Sequence, residues 1–200
     1  SQHAFAVYPL ATQARGAQGI VVPARDYGHD LTAMLAAIDS DTRVVFIANP
    51  NNPTGTFVAP DEMHAFLRRV PAEVVVVLDE AYQEYLPANL QADTIGWLGQ
   101  FPNLVVTRTF SKIYGLAGLR LGYALAHFAV ADLMNRVRQP FNANSIALAA
   151  AVPALGDLGF VRASRKLNFR GMEMLTEGFK RLELPYIPSR GNFVTVRVGD

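Results

Sequence analysis

Five side chains of this 200-residue chain could do chemistry together: an amide at Asn52, a carboxylate at Asp79, a phenol at Tyr82, a hydroxyl at Ser111 and an amine at Lys112. Each follows a short apolar run. VVFIA (44–48) leads into Asn-Pro-Asn-Asn-Pro-Thr-Gly, VVVVL (74–78) into Asp79-Glu80-Ala81-Tyr82, and LVVT (104–107) into Arg108-Thr109-Phe110-Ser111-Lys112. β-Branched runs of this length read as strands of a parallel sheet buried on both faces. Ligands of open α/β sheets bind beyond the carboxyl ends of the strands, so all three loops should face one crevice. An amide, a carboxylate, a phenol and an amine gathered there suit covalent amine chemistry on an aromatic cofactor.

Each residue also has an ordinary reading. Lys112 taken alone is a surface lysine in a loop; beside apolar strands, however, an amine loses solvation, which favours the free base needed to form a Schiff base. A carboxylate directly after four valines and a leucine is costly unless paired, either with an arginine, with a helix N-terminus, or with a protonated pyridine nitrogen that it would keep cationic as an electron sink. Tyr82 is otherwise a core aromatic with a wet tip, and Asn52 an ordinary turn residue. As hydrogen-bond donors, both suit a phenolate oxygen. Ser111 and Arg120, at −1 and +8 from Lys112, are a natural pair for a phosphate. Gly115, Gly118 and Gly122 allow close backbone approach nearby, but form neither GxGxxG nor GxxxxGK[ST], so nucleotide readings fail.

Composition narrows the function classes. A net charge of +1 without a basic block gives nucleic acid no electrostatic footing. The absence of cysteine excludes disulfides and a thiol nucleophile, and the four histidines (His3, His29, His64, His127) lack metal-site spacing, so no metal is expected. No apolar run approaches membrane-spanning length, which makes a cytoplasmic protein without a membrane partner the default expectation. Half the residues are apolar, enough for a packed core. Only Lys112, Lys166 and Lys180 are lysines, against fifteen arginines; a coding bias toward arginine explains the surface but not a lysine kept at 112.

The elements that must hold these residues alternate. Leu31, Met34, Leu35 and Ile38 lie on one helical stripe capped by Asp30, and Met63, Phe66, Leu67 and Val70 on another with Pro60 in its first turn. Residues 4–16, 128–138 and 143–156 read as further helices, and 18–22 and 119–126 as strands. This alternation predicts a mostly parallel α/β sheet. The tail differs: 161–183 reads as one long helix carrying Met172, Leu175, Phe179 and Leu182, ended by Pro185 and Pro188, and 192–198 alternates like a strand. A boundary is expected near 157–160, dividing a domain over 1–158 from the start of a second over 159–200.

The three loop motifs together, in this order and spacing, resemble the class I/II aminotransferases of the pyridoxal-phosphate-dependent (PLP) fold type I, over essentially the whole chain. Within that group the chain is most similar to the histidinol-phosphate aminotransferases, through Phe5-Ala6-Val7-Tyr8 to Gly16-Ala17, Phe110-Ser111-Lys112 to Leu119-Arg120, and Pro140-Phe141-Asn142-Ala143-Asn144. The resemblance implies a large domain with a mostly parallel sheet flanked by helices, plus part of an α+β C-terminal small domain. It implies pyridoxal 5′-phosphate, with Lys112 as Schiff-base lysine and proton shuttle, Asp79 on the pyridinium, Tyr82 and Asn52 on the ring O3′, and Ser111 and Arg120 on the phosphate. Phe5 would stack on the ring, and Asn192 matches a substrate-side position. Asn52–Pro53 is expected to be cis.

Family members extend further at both ends. The chain is therefore expected to lack an upstream phosphate-binding loop, a downstream carboxylate-gripping arginine and a tyrosine contributed by a partner subunit. It reads as the middle of a larger homodimeric enzyme, and should be a poor transaminase in isolation. The implied reaction is amino transfer between histidinol phosphate and 2-oxoglutarate. A sister aminotransferase for aromatic or other amino acids, a threonine-phosphate decarboxylase-like enzyme, and a ligand-sensing module of a regulator share the same motifs.

Overall fold

The computed structural model describes residues 1–199. Its centre is a four-stranded sheet of β1 (Val44–Ala48), β2 (Val75–Asp79), β3 (Leu104–Thr109) and β4 (Gly122–Ala126), in that spatial order. β1, β2 and β3 are parallel, and β4 runs antiparallel to β3. The parallel register aligns Ala48 with Asp79 and Asp79 with Thr107, so β1 and β2 finish level and β3 runs two residues further, to Thr109.

Only one face of this sheet is fully dry. Val45, Ile47, Val76, Leu78, Leu104 and Val106 point into the core with α2 (Leu31–Ala36) and α3 (Pro60–Leu67). Asp30 caps α2 through Ala33 N–H at 2.9 Å, and Pro60 begins α3, where its missing N–H costs nothing. On the other face Phe46, Val75 and Val77 are half-buried, and Val44 is exposed. The expectation of strands buried on both faces holds for the start of β3, where Leu104, Val105 and Val106 are all buried, and is corrected for β2, which alternates between half-buried and buried positions. The opposite face is crossed at Phe46 by Tyr8 of α1 (Val7–Ala14).

Several boundaries also differ from the sequence expectations. α1 is shorter than 4–16, and 18–22 is irregular rather than a strand, tied by one backbone bond from Gln2 N–H to Val22 O. The strand expected over 119–126 begins at Gly122, because Ala117–Leu119 form a 3-10 turn and Arg120 is left-handed (φ 54°). α4 (Phe128–Val137) and α5 (Ser145–Gly156) follow, the latter capped by Asn144. α6 (Leu158–Arg181) starts three residues earlier than expected, since Asp157 accepts from Phe160 N–H and caps it at once. α5 and α6 therefore meet at an 80° bend with no loop between them. The alternating segment 192–198 contributes only β6 (Thr195–Val196), paired antiparallel with β5 (Tyr186–Ile187). Among the described residues no single helix is long and apolar enough to cross a membrane.

Candidate active site

The loop after β1 places Asn52 through a dense local network. Asn49 exchanges two side-chain bonds with the Val58 backbone, at 2.9 and 2.8 Å. Asn51 donates to His3 O at 2.7 Å and to Thr54 Oγ1 at 2.9 Å. Both Asn49–Pro50 and Asn52–Pro53 are cis; the second was expected, the first was not. Gly55 sits at φ +74°, and a Cβ there would come 2.8 Å from Ser189 Cα, so only glycine lets the later segment approach. With its neighbours pinned, Asn52 presents its side-chain NH2 to the Tyr82 hydroxyl at 3.0 Å.

After β2 the chain turns tightly. Asp79 lies on the half-open sheet face and its Oδ1 accepts from Ala81 N–H at 3.1 Å. Its Oδ2 accepts from the Tyr8 hydroxyl at 2.6 Å. Glu80 points the opposite way and is buried, 2% exposed, against the Arg108 guanidinium at 2.8 Å. Burial raises the Glu80 carboxyl above its ordinary value, and the Arg108 charge opposes that rise. Tyr82 is buried, with Phe193 edge-on at 5.2 Å.

After β3, Phe110 and Ile113 are buried on either side of Ser111 and Lys112 and anchor the loop. Phe110 N–H donates to Leu121 O, and Leu116 N–H returns to Phe110 O. The Lys112 ammonium nitrogen lies 5.1 Å from the centre of the Tyr82 ring. An amine, a phenol and an amide thus run in sequence across the ends of three strands, beside a carboxylate two residues from the strand neighbour it shares with Phe46's face.

Not every anticipated residue joins this group. Ser111 donates its backbone N–H to Thr109 Oγ1 at 3.1 Å. The Arg120 side chain is exposed and donates to Ala117 O at 2.8 Å, within its own loop; among the described residues no hydrogen bond joins it to Ser111. Phe5 is 40% exposed, edge-on to Tyr8 at 5.8 Å. Asn192 is also exposed; the Tyr85 phenol near it is raised above its ordinary value by burial first, then by Glu84 and Tyr82, with Asn192 opposing the rise. A separate cavity of about 440 Å³, lined by Arg25, Tyr27, His29, Phe57, Glu62 and Tyr186 among others, contains none of the chemically pointed residues. Among the described residues, no three His, Cys, Asp or Glu side chains are grouped to hold a metal ion.

Three contributors lie beyond the sequence expectations: Tyr8 on Asp79, the Glu80–Arg108 pair beneath it, and Arg165 of α6, which donates to Glu84 O at 2.6 Å. For Tyr8 one signal existed. It stands one helical turn after Phe5, on the same side of a predicted helix.

Residues 2–200 match the family described as Aminotransferase class I and II. The chain belongs to that family. This class I/II aminotransferase chain is 64% identical over 200 residues to "Histidinol-phosphate aminotransferase 1" of Dechloromonas aromatica, covering all of the chain and 55% of the relative. It is 63% identical to the protein of the same name from Cupriavidus pinatubonensis, again over the whole chain and 53% of the relative. Among solved structures, histidinol-phosphate aminotransferase from Sinorhizobium meliloti in complex with pyridoxal-5′-phosphate superposes with a TM-score of 0.94 at 32% identity, over all of this chain and 55% of that one. The fold is accordingly the large-domain architecture of the fold type I aminotransferases. The chain spans about half the length of the curated relatives it matches.

Proposed function

We propose that this chain is the central part of a pyridoxal-phosphate-dependent histidinol-phosphate:2-oxoglutarate aminotransferase. The observation that carries the reading is the row Asn52–Tyr82–Lys112, with Asp79 beside it, at the carboxyl ends of parallel strands. Identity of 64% to a histidinol-phosphate aminotransferase supports the choice of substrate. The donor set fits the cofactor's ring: a carboxylate for its nitrogen, a phenol and an amide for its oxygen, and an amine for its aldehyde.

Bound pyridoxal phosphate supplies an electron-withdrawing ring that stabilises the charge left on the substrate Cα when its proton departs. The chain's own residues do the rest. Asp79 holds a proton on the ring nitrogen by countercharge. Tyr82 Oη–H and Asn52 Nδ2–H donate to the ring oxygen and fix the ring's tilt. Lys112 Nζ would hold the cofactor through its aldehyde and, as a free amine, would accept and return the proton of the substrate Cα. Ser111 and Arg120 would bind the phosphate, for which Arg120 would give up its neutral partner, the Ala117 carbonyl. Phe5, still partly exposed, covers a ring face, and Asn192 stands on the substrate side.

In this reading residues 1–158 belong to the large domain and 159–200 begin the small one, joined by the bend at Asp157. We infer a cytoplasmic homodimer; exposed Phe128 and Val137 on α4, Phe141 (99% exposed) in the loop that follows, and Ile146 on α5 are apolar surface that a second subunit could cover. The test uses the intact protein. Borohydride reduction and peptide mapping should place the pyridoxyl group on Lys112; label on Lys166 or Lys180 refutes the site. Histidinol phosphate with 2-oxoglutarate should yield glutamate, whereas release of CO2 in place of glutamate would identify a decarboxylase.

A further inference from the structure

We propose that Tyr8 is a positioning residue for the reaction: its phenol locks the Asp79 carboxylate in the orientation and ionised form that a pyridine nitrogen requires. The inference rests on the cofactor reading above.

The geometry is specific. Asp79 has two acceptor oxygens, and each already has one donor: Ala81 N–H on Oδ1 at 3.1 Å and Tyr8 Oη–H on Oδ2 at 2.6 Å. A carboxylate gripped at both oxygens cannot rotate about its Cβ–Cγ bond, and its remaining lone pairs face a fixed direction. The donor is itself held. The Tyr8 ring lies flat on Phe46, with centroids 4.9 Å apart and planes 10° apart, and Phe5 stands edge-on at 5.8 Å. Phe46 is paired with Val77, and Asp79 is the next residue on that face of β2. A ring lying over Phe46 therefore delivers its hydroxyl to the next same-face position on the neighbouring strand, which is the carboxylate.

The chemistry follows from the sign of the bond. A hydrogen bond donated to a carboxylate favours its ionised form. A proton shared between Asp79 and a ring nitrogen then resides on the nitrogen. Without the phenol, Asp79 keeps only the Ala81 N–H, becomes more basic, and draws the proton back; the ring loses positive charge. Tyr8 remains a donor under all working conditions, because burial and the Asp79 charge, with a smaller push from Tyr82, hold its phenol far above the ordinary range. Asp79 and Tyr82 are the titratable groups that act on this phenol, and Lys112 faces Tyr82 in turn.

The experiment uses the intact protein loaded with pyridoxal phosphate labelled with ¹⁵N at the ring nitrogen. Tyr8→Phe keeps the stacking on Phe46 and removes only the donor. The nitrogen signal should move toward that of neutral pyridine, and the pH midpoint of the cofactor's visible band should rise by roughly half a unit to one unit. kcat/KM should fall about 10- to 100-fold, as for loss of one hydrogen bond to a charged group, with little change in melting temperature. Replacing Tyr8 by 3-fluorotyrosine, a stronger donor of nearly the same shape, should shift the midpoint the other way. That substitution decides the question alone if Tyr8→Phe does not fold. A variant whose nitrogen signal and midpoint match the unaltered protein would leave Tyr8 a mere packing residue and overturn the inference. If the unaltered protein has no visible band abolished by Lys112→Ala, the cofactor reading falls, and this inference with it.

Discussion

Asp79→Asn separates catalysis from folding more cleanly than any other change at this site. The side chain keeps its shape, so Asn can still accept from Ala81 N–H and can donate to the Tyr8 oxygen, which turns its own hydrogen away. Two charge-assisted bonds become neutral ones, each weaker by about 1 kcal/mol. Against that, a half-buried charge no longer has to be desolvated, a gain of similar size. Net stability should therefore change by no more than about 1 kcal/mol. Function has no such offset. The countercharge to the ring nitrogen disappears, and removing one preorganised electrostatic contact costs about 10²–10³-fold in turnover. The expected result is a kcat for glutamate formation at least about 10²-fold lower, with an unfolding midpoint in urea near that of the unaltered protein. A variant within a few-fold of wild-type turnover would refute the role of Asp79. A variant that loses turnover only because it unfolds would show the carboxylate to be structural.

Asn52→Ala removes the donor 3.0 Å from the Tyr82 hydroxyl and should weaken retention of pyridoxal phosphate about tenfold, read by titration of the apo-protein; unchanged retention would remove Asn52 from the site. Arg108→Met strands the Glu80 carboxylate, 2% exposed, and should cost about 3–5 kcal/mol of stability in denaturant melts, most of it recovered by adding Glu80→Gln; a loss below about 1 kcal/mol contradicts a buried pair. Glu84→Gln tests the pH dependence. Burial raises the Glu84 carboxyl above its ordinary 4.5, so its favourable contribution is full below that value and is lost as pH rises through the raised one. Gln is neutral throughout, so the stability of the variant relative to the unaltered protein should grow with pH above 4.5 and then level off; a difference that shrinks with rising pH overturns this.

What the sequence made legible was local and periodic. The three strands were readable because each is a short run rich in β-branched residues, and the loops because chemistry follows each run without a gap. The two capped stripes at 31–38 and 63–70 were readable for the same reason. What escaped was everything set by distant contacts. Residues 18–22 have strand-like composition, yet no neighbouring strand pairs with them, so composition alone misled. β4 pairs antiparallel because the 3-10 turn and left-handed Arg120 reverse the chain, and neither has a sequence signature outside glycine. The partner of Asp79 is 71 residues upstream, and no spacing rule reaches that far.

Segment 189–195 meets the loop after β1 directly, while Arg165 of α6 holds the Glu84 carbonyl from another side. Thr195 donates its hydroxyl to Pro53 O, and Arg190 N–H donates to Gly55 O at 2.8 Å. Phe193 stands edge-on against the ring of Tyr82. Segment 189–195 therefore grips the same short loop that aims Asn52, and touches the same phenol that Asn52 bonds. Gly55 makes this possible, since any side chain there would collide with Ser189. The donors proposed for the ring oxygen are thus braced from both sides, by the strand ends beneath and by the later segment above. A shift of that segment would reach Asn52 through Pro53 and Gly55, and Tyr82 through Phe193.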